Sequence, residues 1–297
     1  MNSLLKNAVS LREEMTSYET LWGMKDATQK TIAELFRRYP GLPSRVLKEL
    51  RTGKMFLDEL DELYESVRSF LETISGFSVS VHGAFQYPEA LRDAQYPLEL
   101  FYYRGQIELI EGRCISLVGA RKVSNEGVKR ASRLSSELVD SGFTIVSGLA
   151  HGVDTHAMKS AINAGGRTIG VIGTPINQVY PKENTELQEQ VAKEYLLVSQ
   201  VPFFRYQHQP FTTKRYYFPQ RNETMAAISE ATVIVEASDT SGSLTQARAA
   251  LQQGRKLFIL NSCFENPNIT WPKTYEERGA VRVRTTDDIL AHLDKDK

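Results

Sequence analysis

What this chain has little of narrows its class. Only two cysteines, Cys114 and Cys263, stand among 297 residues, too few for a disulfide framework or a cysteine-rich zinc site. Both fall in or beside expected strands, where a reduced thiol behaves as a small apolar side chain. No apolar run approaches the roughly 20 residues of a bilayer-spanning helix. The opening Met1-Asn2-Ser3-Leu4-Leu5-Lys6 lacks the apolar stretch of a secretory signal. These absences lead us to expect a cytoplasmic protein with no membrane attachment. Net charge is also missing, because 36 basic and 36 acidic side chains cancel, so bulk charge does not make this a general polyanion binder. Internal repeats and low-complexity tracts are not seen. There is no Gly-x-x-x-x-Gly-Lys loop for ATP and no nucleophile-elbow serine with its histidine and acid, and the carboxylates of the alternating region are scattered and do not read as a catalytic pair. We expect no catalytic set, no metal and no cofactor.

What the chain does have is concentrated in residues 114–154. Cys114-Ile115-Ser116-Leu117-Val118-Gly119-Ala120-Arg121 reads as a buried strand that stops at a glycine and delivers an arginine. Residues 128–141 read as a helix. Phe143-Thr144-Ile145-Val146-Ser147-Gly148 reads as a second strand running into Leu149-Ala150-His151-Gly152-Val153-Asp154. Strand, crossover helix, strand is the unit of a parallel sheet, and such sheets bind ligands outside the carboxyl ends of their strands.

Further along, strands are expected over 167–173, 196–201, 232–237, 256–260 and 280–284. Helices are expected over 154–163, 185–195, 222–231, 244–253 and 287–293. This alternation predicts an α/β fold with a mostly parallel sheet covered on both faces. Residues 1–75 read as a small helical N-terminal domain, with helices over 28–39 and 56–71 and Ser44 capping another over 46–50. Residues 76–112, which contain Tyr87-Pro88 and Tyr96-Pro97, read as a turn-rich connector. The alternating domain is expected over 113–297.

Several strand-end groups are candidates for anion binding. Gly119 lets the backbone turn close to an anion, and Arg121 carries a planar fork suited to phosphate; a surface arginine capping the sheet is the alternative. Ser147 and Gly148 form a second such turn. His151, Asp154 and His156 are offset by three and five residues and do not converge on one helical face as metal ligands would, so Asp154 reads instead as a helix cap. Lys182 could reach an anion across the strand ends or stay solvated. Ser241-Gly242-Ser243 at a helix start could form an anion nest, or serve as an ordinary cap. Residues 203–221 differ in character. Arg205, Lys214, Arg215 and Arg221 occur there with no acid, among Phe203, Phe204, Tyr206, Phe211, Tyr216, Tyr217 and Phe218. Unpaired bases stack on aromatic faces while Lys and Arg follow the backbone, so Tyr206, Tyr216, Tyr217 and Phe218 are stacking candidates, unless they anchor a loop to the core.

Seven motifs occur in one order: Tyr87-Pro88-x-x-Leu91, Pro97-x-x-Leu100-Phe101-Tyr102-x-Arg104-Gly105, Val118-Gly119-Ala120-Arg121, Ser147-Gly148-Leu149-Ala150-x-Gly152-Val153-Asp154, Tyr180-Pro181-x-x-Asn184, Phe218-Pro219-x-Arg221-Asn222 and Ser241-Gly242-Ser243-Leu244. In this the chain resembles the DNA-processing protein A (DprA/Smf) family, over about residues 77 to 260. The resemblance implies an extended Rossmann-like domain that binds single-stranded DNA, forms a homodimer and passes DNA to a RecA-type recombinase in DNA uptake, recombination or phage defence, without being an enzyme. It also implies that Arg121, Lys182 and Arg221 line the pocket for the DNA backbone, with Asn222 beside them. The chain departs from the family's usual residues at His151, Met158, Glu223 and Asn261-Ser262-Cys263. Two alternatives on this scaffold follow the single-stranded DNA reading in order: a sensor of a small nucleotide, which a less basic rim would suit, and last a nucleoside-monophosphate phosphoribohydrolase. Ser241-Gly242-Ser243-Leu244 matches the glycine-rich motif of those hydrolases poorly.

Overall fold

The computed structural model describes residues 9–52, 57–84, 87–92 and 94–294. The opening hexapeptide and Phe56, the expected start of the fourth helix, lie outside these. The chain opens with helices α1 (Leu11–Gly23), α2 (Gln29–Arg38), α3 (Pro43–Thr52) and α4 (Leu57–Leu71), followed by strands β1 (Ser78–Val81) and β2 (Leu100–Gly105). Alternation then begins with β3 (Cys114–Val118), α5 (Asn125–Asp140), β4 (Thr144–Ser147), α6 (Val153–Asn163), β5 (Thr168–Ile172), α7 (Thr185–Glu194) and β6 (Leu196–Ser199). Three helices follow in succession, α8 (Phe203–His208), α9 (Phe211–Lys214) and α10 (Tyr217–Ala227). The chain continues through β7 (Ala231–Ile234), α11 (Ser243–Gln252), β8 (Lys256–Leu260), α12 (Asn261–Phe264), α13 (Trp271–Glu276), β9 (Val281–Val283) and α14 (Thr286–Leu293).

These strands form one nine-stranded sheet in the order β1-β2-β6-β5-β4-β3-β7-β8-β9. From β6 to β9 every pairing is parallel, and β1 and β2 join antiparallel on the β6 side. The expected mostly parallel, Rossmann-like architecture is present, with a helical region at the N-terminus. Residues 76–112, read from sequence as a connector, hold two strands of this same sheet. Leu100, Phe101 and Tyr102 are fully buried, and Arg104 ties β2 to α7 by donating to both carboxylate oxygens of Glu189 at 2.9 and 2.8 Å.

Side chains of a strand point alternately to opposite faces, and β3 shows both. Ile115 and Leu117 pack with Ala131, Leu134 and Leu138 of α5 and Ala157 and Ala161 of α6. Cys114 and Val118 face the other layer, with Met225 of α10, Ala247 of α11 and Trp271 of α13. A third cluster joins Tyr18, Leu21, Ile32 and Leu47 of the N-terminal helices to Val81, Tyr102, Leu197 and Phe203. Both cysteines are buried free thiols. Among the described residues no helix is long and apolar enough to cross a membrane.

Two expected caps act differently. Ser44 lies inside the first turn of α3, where its N–H and hydroxyl donate to Glu14 of α1 at 2.8 and 2.7 Å. Asp154 lies within α6, whose N-cap is Gly152, and its Oδ2 accepts from Gly148 N at 3.0 Å. It pins the strand-end turn instead of capping the helix.

The N-terminal helices also hold α8. Glu19 of α1 is fully buried and accepts from the backbone N–H groups of Phe203 and Phe204 at 2.8 and 3.0 Å, and from the Tyr102 hydroxyl. In return Arg205 donates to the carbonyls of Trp22 and Met24 at 3.0 and 2.8 Å, closing the C-terminal end of α1. Burial pushes the Glu19 carboxyl up from 4.5 to about 7, and the bonds from Tyr102, Phe203 and Phe204 oppose that rise. The folded state therefore holds this proton more tightly than the unfolded chain. Stability from this group falls as pH rises from about 4.5 to about 7, by at most roughly 3 kcal/mol, and is flat on either side. Urea denaturation across that window should show the decline in the wild type and a flatter profile in Glu19→Gln; parallel profiles would contradict it.

Candidate functional site

The chain order of the sheet reverses at β3. From β3 the chain runs outward through β4, β5 and β6, then returns over α8, α9 and α10 to place β7 on the other side of β3. At such a switch point the connections leave in opposite directions and open a crevice outside the strand ends. Here it is a cleft of about 1020 Å³. The turn after β3 forms its floor, with α10, the start of α11 and residues 262–269 around it. Arg121, Lys122, Arg130 and Arg221 line it against two carboxylates, Asp154 and Glu236, so its charge is positive although the chain's is zero.

Arg221 is the inner cation. It lies on α10, is only 7% exposed, and lines both the cleft and a small inner chamber of about 30 Å³. Its Nη1 donates to the carbonyls of Gly148 at 2.6 Å and Val171 at 3.0 Å, and its Nε donates to Asn222 Oδ1 at 3.0 Å. Burial lowers the guanidinium from its ordinary value; the Asp154 carboxylate opposes this and Arg121 adds to it. Asp154 in turn is raised by burial, against Arg221 and the bonds it accepts. A carboxylate and a guanidinium buried together stabilise each other's charge where either alone would carry a penalty of several kcal/mol.

With Arg221 in this place, residue 148 has no room for a Cβ. A Cβ there would lie 1.8 Å from Arg221 Nη1 and 2.4 Å from its Cζ. The next residue, Leu149, has a φ of 55°, a left-handed conformation that costs an ordinary residue about 1–2 kcal/mol. Its full burial and the bond its carbonyl accepts from Asn184 Nδ2 at 2.8 Å hold it there. This turn presents its carbonyl to Arg221 and its amide to Asp154, and so positions the cation.

The other candidates occupy distinct places. Gly119 forms the floor, where a Cβ would meet Val153 at 2.5 Å and the Glu236 carbonyl at 2.8 Å. Arg121 is exposed and lines both cavities. Ser147 is fully buried, donating to the Leu117 carbonyl at 2.9 Å. Asn222 bonds Arg221 and, through Nδ2, the Gly242 carbonyl at 3.5 Å. Ser241 donates to Ser243, and Ser243 to the Gly119 carbonyl at 2.8 Å, so these hydroxyls lock the α11 start onto the floor while Gly242 stays exposed. Lys182 is exposed one residue beyond Pro181, which lines the inner chamber without it. Beside it His151 Nε2 lies 3.3 Å from Glu183.

The aromatic-basic stretch is helical and divides into inner and outer rings. Phe203 is buried against Tyr102 and Phe77, with ring centres 4.7 and 5.0 Å apart. Tyr217 is only 4% exposed and packs on Tyr206, so it has no free face for a base. Phe218 lines the cleft and packs on Tyr180 at 5.4 Å. Tyr206 lies under Lys214 Nζ at 4.5 Å, and Arg215 sits over Tyr216 at 5.3 Å. Tyr216 is 57% exposed and Phe211 87%.

Four of the lining groups that sequence reading missed bear charge or an aromatic ring. Lys122 adjoins Arg121, Arg130 lies on the α5 face turned to the cleft, Tyr180 sits within its own Tyr-Pro motif, and Glu236 follows β7. Only the first and third carried a local signal.

A family model described as DNA recombination-mediator protein A matches residues 78–294. The chain belongs to that family. It is 31% identical to the DNA processing protein DprA of Bacillus subtilis over 240 residues, 80% of this chain and 78% of that one. It is also 31% identical to the protein Smf of Escherichia coli over 245 residues, 82% of this chain but 64% of that protein's length. The solved DprA of Streptococcus pneumoniae superposes with a TM-score of 0.78 at 25% identity, over 95% of this chain and 98% of that one. DNA processing protein A of Helicobacter pylori, whose structure is described for its single-stranded DNA binding mode, superposes with a TM-score of 0.62 at 25% identity, over 74% of this chain and 96% of that one.

The geometry around residue 148 makes a sharp prediction. Gly148→Ala should force Arg221 off the Gly148 and Val171 carbonyls and lower stability by about 1–3 kcal/mol, the cost of leaving buried polar groups unpaired. Wild-type denaturation of the variant would mean that Arg221 is not fixed by this turn.

Proposed function

We propose that this protein binds single-stranded DNA in the cleft at the carboxyl ends of β3 and β7, as a non-enzymatic member of its family acting in DNA processing and recombination. The observation that carries the proposal is the pairing of an exposed cation, Arg121, with a buried one, Arg221, on the lining of the same cavity. A mobile guanidinium can follow a phosphate, while a fixed one sets where the phosphate sits. Bases of the same strand would then meet the outer rings. Tyr216 is the exposed ring and Phe218 lines the cleft, with Tyr206 half-buried beside them, whereas Tyr217 belongs to the core. Lys214 and Arg215 flank these rings and supply the sequence-independent attraction of cations for the backbone. Lys182 would reach the strand from the chamber's rim.

Membership of the family extends the proposal to a homodimer in the cytoplasm, with a RecA-type recombinase as the protein that receives the strand.

Arg121→Ala should weaken binding of a labelled single-stranded oligonucleotide, read by fluorescence anisotropy, and reduce the salt slope by about one unit with no change in melting temperature. An unchanged affinity and slope would remove Arg121 from the site. The two adjacent tyrosines should separate. Tyr216→Ala should cost about 1–3 kcal/mol of oligonucleotide binding, with Tyr216→Phe nearly neutral because stacking needs the ring. Tyr217→Ala should instead cost about 3–5 kcal/mol of folding stability, as the loss of a buried aromatic does. Equal effects of the two on either readout would contradict the division into outer and core rings.

A further inference from the structure

The place where open α/β sheets usually seat a phosphate is already filled in this protein by one of its own side chains. In such folds the first turn after the strand at the switch point and the start of the helix beyond it point backbone amides at the anion. Here these are the turn at Gly119 and the start of α5. Glu236 arrives from the end of β7, its carbonyl accepting from Ala120 N at 2.6 Å. Its carboxylate then turns toward α5. Oε1 accepts from Ser124 N at 2.9 Å, while Oε2 accepts from the Ser124 hydroxyl at 2.6 Å and from Arg130 Nη2 at 3.2 Å.

Local sequence serves this arrangement. Ser124 caps α5 by accepting from Gly127 N at 3.0 Å while it donates to Glu236. A Cβ on Gly127 would lie 2.4 Å from Glu236 Oε2, so glycine in the first turn of α5 makes room for the carboxylate. Glu236 is also part of the cleft wall, with about a quarter of its side chain exposed. The group therefore stands where an entering anion would meet it.

We propose that Glu236 is a built-in anion that determines ligand class: it occupies the phosphate seat at the switch point and so excludes the free phosphate of a mononucleotide from it. The inference rests on the single-stranded DNA reading for its consequence. A strand's phosphates are confined to the Arg121 and Arg221 side of the cleft, and binding depends on several backbone contacts and not on one seated phosphate. An entering phosphate would have to displace a carboxylate held by two donors of Ser124 and one of Arg130, and would face its charge at close range. Removing the carboxylate leaves those three donors free for a small anion.

The test compares wild type, Glu236→Ala and Glu236→Gln, titrated calorimetrically with inorganic phosphate and with thymidine monophosphate at constant ionic strength. Oligonucleotide binding is followed in parallel by anisotropy. The three donors made available to a new anion should tighten phosphate binding by about tenfold or more in E236A. E236Q, which fills the seat without the charge, should gain less. The ratio of oligonucleotide to mononucleotide affinity should fall accordingly. If E236A melts early, a rise of its melting temperature with phosphate that the wild type lacks gives the same answer, because a ligand that binds only the folded state stabilises it. Phosphate and thymidine monophosphate affinities in both variants equal to wild type, with no added thermal shift, would overturn the proposal. Failure of the wild type to bind the oligonucleotide would sink the DNA reading alone, and the phosphate comparison would still decide the role of Glu236.

Discussion

A guanidinium held out of water organises the ligand face of this protein. Arg221 can be buried only because the ends of two neighbouring strands offer it carbonyls, at Gly148 after β4 and at Val171 in β5, and because Asp154 supplies a carboxylate nearby. Each condition constrains something else. The carbonyl contact requires a residue without a Cβ at 148. The turn that aims it requires Leu149 in a left-handed conformation, fixed by Asn184. Asp154 must serve Gly148 instead of capping α6. An unpaired buried charge would cost several kcal/mol, so these residues form one arrangement and not a set of independent contacts.

The N-terminal helices belong to the same construction. The return from β6 to β7 passes through α8, α9 and α10, and α10 carries Arg221. Glu19 accepts from the first amides of α8, Arg205 answers at the end of α1, and Gln29 of α2 donates to Glu223 of α10 at 2.8 Å. Through this bond Glu223 joins α10 to the helical region and helps to position the helix behind the cleft.

Much of this was legible in the sequence, for reasons that can be named. The parallel core was readable because each strand is a short apolar run ended by glycine or a polar turn, as in residues 114–121 and 143–148, and both properties are local. β1 and β2 were not, because they pair antiparallel with each other and then β2 with β6, nearly a hundred residues away: Tyr102 lies opposite Ser199. The Tyr-Pro dipeptides between them read as loop. Arg121 and Arg221 were legible as cleft residues through their motifs, but their different burial was not. Tyr216 and Tyr217 show the same limit: composition marks both as aromatic among basic residues, yet successive positions on entering a helix point in different directions, and one faces solvent while the other joins the core. Glu236 escaped notice because its partner Ser124 is 112 residues distant, and a lone acid after a strand carries no signal.

The account stands on the claim that the switch-point cleft, and not another surface, receives the strand. The most direct measurement is the crystal structure of the protein with a short single-stranded oligodeoxynucleotide. The account predicts phosphate oxygens within hydrogen-bonding distance of Arg121 and of Arg221 where it lines the cleft, with the strand running toward Tyr216 and no phosphate at Ser124. An oligonucleotide lying along the outer edge of β1 or over α14, with the cleft empty, would contradict it.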